Sequence, residues 1–517
     1  MRKVFRVLGK VVFSRTIFII LMLILQIGVM VSGILWLGQY ISFLWAFLTL
    51  LGVAVLFYLV NKEDLPEFKI AWLIPVCVFP IFGALLYVYV ERNWGSRTMK
   101  KMLNQVISDT GSYMRTESGV RERLAAQNVH MGSLSAYLEE TGGYPTYAGG
   151  EAVYFPVGEE KWKDMLQELR AAKEFIFLEY FIVEPGVMWD SILDILKEKV
   201  AEGVEVRFMY DGMCSLMLLP YNYPEKMEAF GIRTKAFSPI IPMLSTHQNN
   251  RDHRKILVVD GRVAYTGGVN LADEYVNKKQ RFGHWKDTAV KITGKAVDSF
   301  TMMFLRTWDV GKKRTEEMAA SDYEKYLHKY DSDFGEGFMI PYGDGPNRKE
   351  NVAEKVYIDI LNTAVGYVHI MTPYFIVDSA MLQAIQFAAR RGVEVKLLLP
   401  HIPDKAYAFA IARTYYPALL EAGVRLYEYT PGFVHAKCFV SDDCKAVVGT
   451  INLDYRSLYH HFECAAYFYR CPVVADVERD FQNTTAVSEE ITMETYRKLN
   501  PLWKVAGHVM NLFGPLM

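Results

Sequence analysis

The stretch His253-Arg-Lys255-Ile-Leu-Val-Val-Asp260, followed by Gly267-Gly268-Val-Asn270, decides the fold because the chain spells it twice. The second copy is His435-Ala-Lys437-Cys-Phe-Val-Ser-Asp442, followed by Gly449-Thr-Ile-Asn452. Both read H-x-K-x(4)-D, both place Asn 17 residues after His, and the two His stand 182 positions apart. Upstream, Glu174–Val183 reads as a buried strand, 189–202 as a helix and Gly203–Tyr210 as a second strand. The same order returns as Tyr367–Val377, 379–391 and Gly392–Leu399. The strings G-V-E-V-[RK] lie 189 positions apart, Tyr180-Phe181-Ile182 recurs as Tyr374-Phe375-Ile376, and Gly231-Ile-Arg echoes Gly423-Val-Arg. Matches in one order argue for two copies of one unit. The expected fold class is α/β: two lobes related by a pseudo-two-fold axis, with mixed sheets flanked by helices.

The 517 residues suffice for about three units at roughly 100–200 residues each. The net charge of −1 excludes a basic, generic nucleic-acid binder and an acidic disordered chain. From Thr16 to Val60, 45 residues pass without Asp, Glu, Lys or Arg. That is too long for a signal-peptide core and reads as two membrane spans, 16–37 and 41–60. A third apolar run, 70–90, carries Pro75 and Pro80. Basic residues before the first run (Arg2, Lys3, Arg6, Lys10, Arg15) and after the third (Arg92, Arg97, Lys100, Lys101) both favour the cytoplasm. The number of crossings therefore stays open. The expected organisation is an anchor over 1–90, a first lobe over 110–311, a charged linker over 312–336, and a second lobe over 337–517 ending in an apolar tail. None of the six cysteines forms a C-x-x-C pair, so reduced, space-filling thiols are expected.

On an extended segment residues i and i+2 share a face, so each His and its Lys point into one pocket. Two-fold symmetry would bring both pairs to one seam. Two lysines and two asparagines, Asn270 and Asn452, suit a phosphate's non-bridging oxygens. One imidazole can attack phosphorus while the other protonates the leaving alcohol and then deprotonates the incoming one. An acid on the far ring nitrogen would fix the tautomer, and Asp287 and Glu463 are the candidates. No metal or other cofactor is demanded. Adjacent His460 and His461 lie close to the second copy in sequence.

The doubled motif resembles the signature of the phospholipase D superfamily, and finer strings resemble its bacterial cardiolipin synthases. These are Ala71-Trp72-Leu73-Ile74 through Pro80-x-x-Gly83 and Tyr87, Leu178-Glu-Tyr-Phe181, Asn250-Arg-Asp-His-Arg-Lys255, Thr372-Pro-Tyr-Phe375, Gly449-Thr-Ile-Asn-Leu-Asp-Tyr-Arg-Ser457, Phe462-Glu463 and the closing Gly514-Pro515-Leu516. The similarity covers roughly 45–517 and implies a duplicated phospholipase D-type fold behind N-terminal transmembrane helices. It also implies transfer of a phosphatidyl group between two phosphatidylglycerol molecules through a histidine-bound intermediate. His253, Lys255, Asp260, His435, Lys437 and Asp442 become the catalytic set, with His253 attacking and His435 as acid and base. The motif aspartates are expected to hold geometry. The expected setting is a multi-pass position in the cell membrane with a cytoplasmic catalytic part. The expected partner is phosphatidylglycerol, without nucleic acid and with room for a homo-oligomer. A hydrolase, or a transferase using another acceptor alcohol, would carry the same motif. The first apolar run and Gly212-Met-Cys-Ser215 depart from the family pattern. Apolar loops at 213–219 and 239–244 read either as core or as an acyl-chain entrance, and the tail 501–517 either as interfacial or as chain-end packing.

Overall fold

The computed structural model describes residues 41–91, 94–212, 218–220, 222–237, 250–310, 321–327, 329, 334–348 and 350–516. They fall into two compact units, one from the chain up to 98 with the last residues from 509, the other from 99–239 and 250–508.

In the first unit, α1 (Ile41–Asn61), α2 (Pro66–Val78) and α3 (Pro80–Glu91) meet around Val55, Leu59, Val76, Ala84 and Tyr87. The run 70–90 is therefore not one helix. Pro80 cannot donate a backbone hydrogen bond, Phe79 leaves helical geometry, and the chain restarts as α3. At 1.5 Å per residue α2 and α3 reach only about 20 Å, short of a roughly 30 Å hydrocarbon core. Gly83 allows α3 against α2, since a Cβ there would lie 2.3 Å from the Pro75 carbonyl oxygen. The run expected at 41–60 is helical as α1, whereas 16–37 lies outside the described residues. Among the described residues no helix is long and apolar enough to cross a membrane, so the multi-pass expectation finds no span there.

Among the described residues the second unit holds two large sheets and two two-stranded ones. Strands β1 (Ala152–Phe155), β2 (Phe175–Tyr180), β3 (Glu205–Asp211), β4 (Arg233–Phe237), β5 (Ile256–Val259), β6 (Val263–Gly267) and β7 (Ala289–Thr293) form the first, in the order β1-β7-β6-β5-β2-β3-β4. Strands β8 (Phe338–Asp344), β9 (Tyr367–Met371), β10 (Glu394–Pro400), β11 (Arg425–Tyr429), β12 (Cys438–Ser441), β13 (Lys445–Gly449) and β14 (Glu463–Tyr469) lie in the second as β8-β14-β13-β12-β9-β10-β11, with short flanking strands at 147–148 and 489–491. Strand directions also correspond: in each sheet the last three strands run parallel and the other neighbours antiparallel.

Both faces of these sheets are covered, which is why their strands read as continuous apolar runs. Along β2, Ile176, Leu178 and Tyr180 face helices α4 (Gly158–Ala171) and α5 (Val187–Ala201). The alternate Phe175 and Phe177 enter a core shared with β8, β9 and β12. There the fully buried helix α6 (Val297–Asp309) stacks Phe304 on Phe177 at 4.7 Å. Of the expected linker, 311–320 lies outside the described residues. Its described part is not a bare spacer, because Tyr323, Tyr326 and Leu327 are buried in that core.

Candidate active site

Two short backbone pairings build the site. His284–Lys286 runs parallel to Gly432–Val434, and the His435 N–H donates to the Lys286 carbonyl. In the counterpart, Asp252 bridges Phe462, the His253 N–H donates to the Phe462 carbonyl at 2.9 Å, and the Phe462 N–H donates to Arg251 at 2.8 Å. The chain entering each motif histidine thus lies beside the chain entering the other half's acid.

The acids consequently pair across the halves. His435 Nδ1 lies 2.6 Å from Asp287 Oδ2, and His253 Nδ1 lies 2.8 and 3.0 Å from the two oxygens of Glu463. With Nδ1 occupied, each ring keeps Nε2 for chemistry. The downstream G-[GT]-x-N string supports the same acids. A Cβ on Gly268 would sit 1.9 Å from Asp287 Oδ1, while the Thr450 hydroxyl donates to Glu463. Asp287 also accepts from the Thr288 N–H at 2.8 Å.

Lys255 and Lys437 are buried and donate to the carbonyls of His253 and His435, so the i, i+2 relation holds although both precede their strands. Burial lowers Lys255 to about 8 and Lys437 to about 7. Burial, with Lys437 beside it, lowers His435 to about 4 despite Asp287. It likewise pushes His253 well below, and Glu463 well above, their ordinary values. The pocket therefore holds cations that are costly to charge, a cost that a bound anion offsets.

Both asparagines are buried here. Asn270 accepts from the Ile182 N–H at 3.0 Å, and Asn452 Oδ1 has no hydrogen-bond partner among the described residues. The motif aspartates point elsewhere. Asp260, at φ 53°, accepts the N–H groups of Lys173, Glu174 and Phe175, and Asp442, at φ 52°, those of Val365, Gly366 and Tyr367. Each pins the start of its half's central strand.

Two features, Lys161 and Arg254, escaped the sequence reading, and a third, His461, was noted there only for its nearness to the second copy. Buried Lys161 donates to the Tyr180 hydroxyl at 3.0 Å and is lowered by burial to about 7, with Asp287 opposing. It shares the i, i+4, i+8 stripe of α4 with buried Met165 and Leu169, a signal visible in the sequence. Arg254 pairs with Glu179 at 2.7 Å and Asp252 at 3.0 Å, where the second half has Ala436. His461 is buried 5.4 Å from the His253 ring, centroid to centroid. His253, His461 and Glu463 bring ligand atoms within 4.8 Å of one another. Both Glu463 oxygens already face His253 Nδ1, so a proton accounts for that contact. Of the apolar loops, 213–217 and 239–244 lie outside the described residues.

Residues 165–308 and 357–485 match the family described as "Cardiolipin synthase, PLD-like domain". A cardiolipin synthase of Halalkalibacterium halodurans is 32% identical over 96% of this chain and 99% of its own, and one of Geobacillus kaustophilus 34% over 90% and 91%. An uncharacterised protein of Streptococcus mutans is 49% identical over 89% of this chain and 99% of its own. Among solved structures, the phosphatidylserine synthase of Haemophilus influenzae superposes with a TM-score of 0.56 at 15% identity, over 74% of this chain and 98% of that one, a likeness of fold alone.

Proposed function

The chain belongs to the cardiolipin synthase, PLD-like family, and from that premise we propose that it joins two phosphatidylglycerol molecules into cardiolipin with release of glycerol. The observation that carries the chemistry is the crossed pairing of His253 with Glu463 and His435 with Asp287, which leaves two Nε2 atoms for a lysine-lined pocket.

His253 Nε2 attacks phosphorus, the N–P bond forms and the bond to glycerol oxygen breaks. The proton on His435 Nε2 passes to that oxygen. Glu463 balances the charge on the phosphatidyl-imidazole, and Lys255 and Lys437 neutralise the non-bridging oxygens. The bare His435 Nε2 then takes the proton of a second phosphatidylglycerol's terminal hydroxyl. Its oxygen bonds to phosphorus, the N–P bond breaks, and both histidines return to their starting state. The phosphate anion raises the His435 pKa from its low resting value, so acid competence comes with substrate. Asn270 and Asn452 are phosphate contacts in this reading. The repeated strand order supports two lobes arising by duplication and related by a pseudo-two-fold axis. The reaction belongs at a membrane, with the catalytic part on its cytoplasmic face.

The test is purified protein in phosphatidylglycerol vesicles, with lipid product and free glycerol both measured. Cardiolipin and glycerol in equal amounts are expected. Phosphatidic acid without cardiolipin overturns the transferase.

A further inference from the structure

Helix α8 (Ala406–Glu421) and the C-terminal helix α10 (Pro501–Asn511) enclose a groove of about 360 Å³, within the range of ligand sites. Its walls include Ala406, Phe409, Thr414, Tyr496, Leu499 and Trp503. The Phe409 ring is clamped by the Arg413 guanidinium at 3.9 Å, itself held by Glu428 at 3.0 Å. The helices approach closely because α10 carries Gly507 where a Cβ would lie 2.4 Å from the Ala410 carbonyl oxygen. Pro403 and Phe409 also line a constriction of about 10 Å³ that continues to Tyr374 and Phe433. Phe433 lies 5.8 Å from the His435 ring, centroid to centroid. Shared residues thus lead from the groove towards the histidine assigned to the acceptor alcohol.

We propose that this groove holds one acyl chain of the phospholipid bound on the His435 side, with the rim at Trp503 facing the bilayer. Charge selects the occupant. Lys504 stands at the groove over Tyr496 and Lys405 at the constriction over Tyr374, both suited to anionic headgroups. Beside them Leu502, Trp503 and Val505 are more than half exposed, as on an interfacial helix. The inference rests on the transferase reading and assigns it a substrate subsite.

Two groove-filling variants at partly or fully exposed positions, Ala406→Phe and Thr414→Phe, test it. The ratio of kcat/KM for dipalmitoyl over dihexanoyl phosphatidylglycerol is expected to fall at least tenfold, since each methylene excluded costs about fourfold. An unchanged ratio, including an equal loss on both substrates, overturns the groove. Independently of turnover, Trp503 fluorescence is measured in vesicles of chain-brominated phosphatidylglycerol, with Trp503→Phe subtracted. Quenching that disappears in Ala406→Phe is expected. Quenching that survives there means surface contact only, and it overturns the proposal, as does its absence in the unmodified protein. If the protein makes no cardiolipin while quenching still depends on the groove, the transferase reading falls and the groove stands.

Discussion

Asp287→Asn isolates the charge on one side of the crossed pairing. The substitution keeps the side-chain shape, but an amide has one oxygen: with it on the Thr288 N–H, His435 Nδ1 faces an uncharged NH2 across 2.6 Å. With charge centres about 4 Å apart and an effective dielectric near 20, the lost attraction for the imidazolium is about 4 kcal/mol. Counted as one charge-assisted hydrogen bond it is about 1.5–3 kcal/mol. At about 1.4 kcal/mol per decade, the turnover number for cardiolipin formation should fall between about tenfold and a thousandfold. KM should change little, because the substrate does not touch Asp287 in the proposed geometry. Asp287 raises the His435 pKa against burial, so the decline in rate as His435 loses its proton should begin at lower pH in the variant. A donor with p-nitrophenol as leaving group needs no proton at departure, and the release of its first equivalent should fall less than tenfold. Glu463→Gln, which bears on the attacking ring, should slow both donors alike. A rate within threefold of the unmodified protein, or equal losses on both donors in Asp287→Asn, would refute the assignment.

The lysines give a proton signature. Lys437 and Lys255 rest near 7 and 8 in the empty site, and an entering phosphate raises both. Calorimetric titration with glycerol 3-phosphate at pH 8.5 in two buffers of different ionisation enthalpy should show uptake of between about one and two protons; none would contradict the phosphate role. Asp442→Ala should cost about 2 kcal/mol in urea unfolding, already discounted for its partial exposure, with kcat within threefold. Its carboxyl is held below the ordinary value by three backbone N–H groups, so the cost is full at neutral pH and vanishes as pH falls through that lowered pKa. A large kcat loss in folded protein would restore it to the chemistry. Arg254→Ala should destabilise by about 3–5 kcal/mol by stranding Glu179, and adding Glu179→Leu should recover most of that in the same assay.

What was legible in the sequence was local and repeated. The strands follow from apolar runs too short for helices, and the common sheet order from strings recurring in one sequence order. The two histidines and two lysines lie near enough for each histidine to feel both lysines. The acids were found by position but not by partner. Asp287 lies 34 residues after His253 and bonds His435, a relation that exists only once 284–286 pairs with 432–434. The third apolar run stayed open because two prolines mark it and sequence does not say which one ends a helix; the break falls at Pro80, while Pro75 stays inside α2.

The two halves also differ where they touch their acids, and the difference bears on which histidine attacks. Glu463 is one methylene longer than Asp287, places both oxygens on His253 Nδ1 and is gripped by Thr450. Asp287 offers one oxygen to His435, and its half has Gly268 where the other has Thr450, so no side-chain hydroxyl competes for it. A nucleophile carries a full positive charge for the whole lifetime of the phosphatidyl-enzyme, whereas an acid–base group is charged only until it hands its proton on. The longer-lived charge calls for the more completely fixed counter-ion, and that stands at His253. With the p-nitrophenol donor, His435→Ala should then release one equivalent of p-nitrophenol and stop, and His253→Ala should release none. The reverse pattern would exchange the two roles without disturbing the crossed pairing.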